Sequence, residues 1–163
     1  MAQYNIIAEN ENYTIVSDYE AVYRTSEKYQ TEAQLEQELI KNLTEQGYDY
    51  LPIHKEQDLV DNLRVQLQRL NDYTFTDSEW KRFFNDVIAN QNEGIEAKTT
   101  KIQEDHIQVL KRDTGETKNI YLIDKRNIHN NYLQVINQYE EELGNHDARY
   151  DVTILVNGLP LVH

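Results

Sequence analysis

The 163 residues carry 29 acidic against 16 basic side chains, for a net charge of −13 and a pI near 4.7. As a whole the chain repels DNA, whose binding rests on Lys and Arg contacts to phosphates; either other parts of an assembly hold DNA or nucleic acid is not the partner. The absence of cysteine excludes disulfides and thiolate metal sites and agrees with a cytoplasmic protein.

No apolar run nears the roughly 18 residues that span a bilayer, and Met1–Asn5 lacks the basic and apolar regions of a secretory signal. A chain of this length is expected to form one domain, residues 1–163, burying about two-thirds of its unfolded surface. Residues 1–30 are polar and Tyr-rich, with a short strand predicted at Tyr13-Thr14-Ile15-Val16. The first helix is predicted from Thr31 to Gln46. Thr31 and Gln34 have capping-box spacing, Leu35, Leu39, Ile40 and Leu43 form an apolar stripe, and Gly47 stops it. A second helix, from about Asp58 to Leu70, sets Leu59, Leu63, Leu67 and Leu70 on one face. A third opens at Thr76 with a capping box to Glu79 and carries Trp80, Phe83, Phe84, Val87 and Ile88. The polar stretch around Glu96 to Lys98 also reads as helical.

Beyond about residue 105 the period becomes strand-like. Ile107–Lys111 and Asn119–Ile123 flank the turn Asp113-Thr114-Gly115-Glu116. Tyr132–Tyr139 alternates, the acidic run Glu140–Glu142 reads as a solvated face near a reversal at Gly144, and His146-Asp147 reads as a surface loop. Last come two apolar strands around Asn157-Gly158, the strongest short hairpin signal because both turn residues tolerate φ > 0. A strand apolar on both faces belongs in a sheet covered on both sides. The expectation is an α/β fold: one mixed sheet holding the strands near 107–111, 119–123, 132–139, 151–156 and 159–163, flanked by the three helices. The expected core is Leu35, Leu39, Leu43, Leu63, Leu67, Phe83, Phe84, Val87, Ile123, Val152, Ile154 and Val156.

Most motifs are missing. The five glycines fit neither a Walker A loop nor a dinucleotide fingerprint, and the five histidines are scattered, which argues against a nucleotide or zinc site. Asp113-Thr114-Gly115 occurs once, whereas aspartic proteases need two such carboxylates, so it is a turn. Asp151, entering the terminal hairpin, has two readings. It is a strand residue capping a turn or pairing with Arg149, or it is a Mg²⁺ ligand. The second needs a Glu-x-Lys on the neighbouring strand, so that two carboxylates bind the ion and the Lys serves the attacking water. Glu-x-Lys occurs at Glu79-Trp80-Lys81, Glu96-Ala97-Lys98 and Glu116-Thr117-Lys118, and none is expected to lie beside an Asp across a ladder. A strict two-residue turn at Asn157-Gly158 sets Asp151 opposite the first residue past His163. One bulged residue near Pro160, which lacks an N–H, moves it to the second. The chain is therefore expected to be a fragment cut inside its last strand.

The stretch Arg149-Tyr150-Asp151-Val152-Thr153-Ile154-Leu155-Val156-Asn157-Gly158-Leu159-Pro160-Leu161-Val162 resembles the nuclease motif of the R (HsdR) subunits of type I restriction enzymes. Tyr29-Gln30-Thr31-Glu32, Leu35 through Ile40, Gln46-Gly47-Tyr48, Ser78 through Phe83 and Asn119 through Lys125 extend the resemblance over essentially the whole chain. It implies a restriction-endonuclease-like PD-(D/E)xK core truncated at its carboxyl end, with Asp151 as a catalytic residue and Mg²⁺ ligand. Glu32 would correspond to the helix carboxylate that some members bring to the metal. The family's Glu-x-Lys falls about two residues past His163. The resemblance further implies ATP-driven motor domains beyond this chain and partners comprising DNA and the methyltransferase (M) and specificity (S) subunits, with no membrane. The competing expectation is an acidic interaction module, such as a DNA-mimicking antirestriction protein, with carboxylates spread over a solvent face.

Overall fold

A computed structural model describes residues 5–9, 14–17, 31–143 and 146–162, with side chains for 31–138 and 152–162. The chain divides into two compact units, Met1–Gln30 and Thr31–His163. In the first, β1 (Asn5–Glu9) and β2 (Thr14–Ser17) pair antiparallel with a bulge between Ile6 and Ala8. The predicted strand is thus present from Thr14; Tyr13 lies outside the described residues.

In the second unit α1 (Glu32–Glu45) starts where expected. The Thr31 hydroxyl accepts from the Gln34 N–H, and the Gln34 side chain returns the bond to the Thr31 N–H. A two-residue strand β3 (Asp49–Tyr50) comes next, then α2 (Glu56–Asn71) and α3 (Asp77–Phe83), the latter with the expected Thr76–Glu79 capping box. Phe84–Ile88 continues α3 as a π-helical turn, closed by a 2.7 Å bond from Ala89 N to Phe84 O. The polar stretch forms α4 (Ile95–Gln103). No described helix is long and apolar enough to cross a membrane.

The strands form two sheets here rather than one. β4 (Ile107–Lys111) and β5 (Thr117–Tyr121) make a separate antiparallel hairpin. The other sheet has the order β3-β6-β7-β8, with β6 (Leu133–Leu143), β7 (His146–Val156) and β8 (Leu159–Val162). β3 is parallel to β6 and the remaining pairs are antiparallel, so the sheet is mixed. The α/β class with flanking helices is therefore as expected. His146-Asp147 is a correction: it begins β7, opposite Leu143 and Glu142 of β6, because the long hairpin ladder overrides the polar composition. The acidic run lies in β6, and the reversal at Gly144 lies outside the described residues.

One core joins α2, α3 and the β4–β5 hairpin through Leu67, Phe75, Phe83, Leu110, Ile120 and Leu122. The Phe75 and Phe83 rings stack at 5.7 Å and the Phe75 and Trp80 rings meet tilted at 5.4 Å. A smaller cluster packs Leu59 and Ile53 on Ile136 and Leu155 of the sheet. Register puts Gln134 and Leu155 on that same sheet face, where the Asn62 and Gln134 amides exchange bonds of 3.0 and 3.2 Å. Leu43, Leu63, Leu67 and Phe83 are buried as expected, whereas Phe84, Val87, Ile123, Val152, Ile154 and Val156 are half-buried and Leu35 and Leu39 exposed. Among the described side chains of β7 the tightly covered ones are Thr153 and Leu155, on the face against α2, rather than the all-apolar alternates Val152, Ile154 and Val156.

Candidate active site

The terminal hairpin takes the bulged geometry. Asn157 and Gly158 stand at φ 52° and 80°, and Val156 pairs Leu159, Leu155 pairs Pro160, and Ile154 pairs Val162. Leu161 is the extra residue, next to the proline that cannot donate to a ladder. The turn is held hard. Asn157 is buried, accepts from Tyr132 N at 2.8 Å and donates to Asn131 at 2.8 Å and Leu122 O at 3.1 Å. A Cβ on Gly158 would stand 2.7 Å from Leu63 Cα, so the turn can approach α2 only as glycine.

Asp151 lies in the middle of β7, the sixth of its eleven residues, rather than at the head of a strand running 151–156. The ladder runs from Asn137↔Val152 to Tyr139↔Tyr150 without a register shift, which sets Gln138 across from Asp151, and Gln138 stands at φ 52°. Glu32 is the first residue of α1 and is exposed. One turn on, half-buried Glu36 accepts a 2.6 Å bond from Asn137 Nδ2, and Asn137 Oδ1 accepts from the Tyr50 hydroxyl at 2.8 Å. Glu36, Asn137 and Tyr50 were not expected. A signal existed: Glu36, Ile40 and Leu43 lie at i, i+4 and i+7, and the more apolar pair Leu35 and Leu39 concealed it.

The three internal Glu-x-Lys tripeptides do other work. Glu79 is buried and caps α3; its carboxylate accepts from Tyr73 OH at 2.8 Å, Thr76 N at 3.1 Å and Asp113 N at 3.0 Å. Burial pushes its pKa up, but those hydrogen bonds outweigh it and hold the carboxyl below its ordinary value. Glu96 and Lys98 are on α4, and Lys118 is on β5 beyond its turn. The Asp113 turn is structural too. Its carboxylate takes bonds from Ser78, Thr76 and Arg82, which bring its pKa down to about 2. Among the described residues, no group of three or more His, Asp or Glu is gathered to hold a metal ion. A cavity of about 350 Å³ between α2, the π-helical turn, α4 and the hairpin turn is mostly apolar, with Lys98, Lys101 and Glu56 among its lining.

Residues 29–163 match the family described as type I restriction enzyme R protein N terminus, and the chain belongs to that family. It is 45% identical over 157 residues to the endonuclease subunit of the type I restriction enzyme EcoprrI of Escherichia coli, covering 96% of this chain and 50% of that subunit. Identity is 37% over 139 residues to the SsaAORF53P endonuclease subunit of Staphylococcus saprophyticus, and 35% over 141 residues to the SauCOLORF180P subunit of Staphylococcus aureus. Each staphylococcal match covers 82% of this chain and 14% of the relative. The chain thus spans half the length of the first relative and far less of the others.

Proposed function

We propose that this chain is the amino-terminal nuclease region of a type I restriction enzyme R subunit, with a PD-(D/E)xK core that cuts DNA with Mg²⁺. The observation that carries the reading is the β7–β8 register, taken together with family membership. Counting on from Ile154↔Val162, the position facing Asp151 is the second beyond His163, where the resemblance expects the Glu of Glu-x-Lys. The relatives are themselves named endonuclease subunits.

Asp151 fits the ion in kind, since Mg²⁺ takes hard oxygen ligands and is held by one or two carboxylates with substrate phosphate and water. Glu32 is the second carboxylate of the proposal. When bound, the ion would neutralise charge on the scissile phosphate and polarise water. The acidic chain needs other parts of the complex to hold DNA; we assign that to the ATP-driven motor domains and the M and S subunits. In the complete subunit assembled with those partners, Asp151→Ala should abolish Mg²⁺-dependent cleavage and leave ATP-driven translocation intact. The 163-residue chain alone should bind Mg²⁺ weakly and cut nothing. Normal cleavage by the Asp151→Ala complex would reduce Asp151 to a strand residue.

A further inference from the structure

We propose that Glu36, Asn137 and Tyr50 form a positioning device that sets the backbone of β7 at Asp151; the proposal rests on the metal-ligand reading of Asp151. Asn137 is held from two elements at once. A carboxylate only accepts hydrogen bonds, so Asn137 turns its amide N–H toward Glu36 of α1 at 2.6 Å, which leaves its oxygen for the Tyr50 hydroxyl of β3 at 2.8 Å. The bond to Glu36 is charge-assisted, the stronger kind. Both bonds span large sequence separations, 101 and 87 residues, so they tie α1 and β3 to one point of β6.

The next residue along β6 gives that point its importance. Gln138 takes φ 52°, a conformation that L side chains rarely adopt and that persists only where the surroundings impose it. The Gln138 side chain is exposed, so it does not supply that constraint. The anchored neighbour Asn137 does. In the unbroken register Gln138 stands across from Asp151, between Asn137↔Val152 on one side and Tyr139↔Tyr150 on the other, and the backbone at Asp151 takes its place from those pairs. Loosening Asn137 frees one of those two supports.

The test uses the complete subunit with its partners. Glu36→Ala should raise the Mg²⁺ concentration for half-maximal cleavage by about tenfold, the low end of what loss of a metal ligand's support costs. In the metal-free subunit it should speed amide exchange at residues 137–139 and 150–152, with exchange in α2 unchanged. Glu36→Gln, which keeps an accepting oxygen, should restore both. Tyr50→Phe removes only the hydroxyl and should give the same two changes, smaller, so that the idea stays testable if Glu36→Ala does not fold. Wild-type Mg²⁺ dependence and exchange in both Glu36→Ala and Tyr50→Phe, with Asp151→Asn inactive, would overturn the positioning role and leave the nuclease reading standing. If Asp151→Asn cuts normally, the reading of Asp151 fails and the exchange measurement alone decides whether the anchor holds β7.

Discussion

Asp113 ties a turn to a helix start, and its depressed pKa makes that tie sensitive to acid. A group whose folded pKa lies below its unfolded value stabilises above the unfolded pKa and loses the effect as pH falls through the folded one. For Asp113 the window runs from the ordinary 3.8 down to about 2. Asp113→Asn should lower Tm at pH 7, and the gap from wild type should close between those pH values in melts taken across the range. Gly158 supports a second expectation. Gly158→Ala combines φ 80° with a Cβ 2.7 Å from Leu63 Cα. The backbone strain alone costs about 1–3 kcal/mol, and the clash adds to it, so a denaturation midpoint close to wild type would contradict the described packing. Both turns were readable, because Asn-Gly and Asp-Thr-Gly carry local turn chemistry. The bonds to Ser78 and Arg82 and the approach to Leu63 were not, since they join residues far apart in the chain.

The capping boxes at Thr31 and Thr76 placed the starts of α1 and α3 correctly because a cap is a local contract between residues three apart. The inner face of α1 was misjudged. Leu35 and Leu39 outrank Glu36 in hydrophobicity, yet they are 52% and 47% exposed, while Glu36 finds an amide partner on β6. A partner 101 residues away leaves no trace in helical periodicity. The consequence is measurable. Leu39→Ala should cost under about 1 kcal/mol, as for a surface change, whereas fully buried Leu67→Ala or Leu155→Ala should each cost roughly 2–5 kcal/mol. Equal losses from Leu39→Ala and Leu67→Ala would put the inner face back on the leucines.

The switch of period near residue 105 conveyed the α/β class. The division of the strands into two sheets was invisible to it, because alternation reports that a strand is half-covered and not which strand lies beside it. Among the described residues β8 meets β7 at Ile154–Val156, while β6 pairs with it from His146 to Val156. The first six residues of β7, His146-Asp147-Ala148-Arg149-Tyr150-Asp151, carry three charges. Charge of that kind deters the wrong strand without blocking one whose own side chains answer it. A strand that carries ions along its length is therefore selective about the neighbour it accepts.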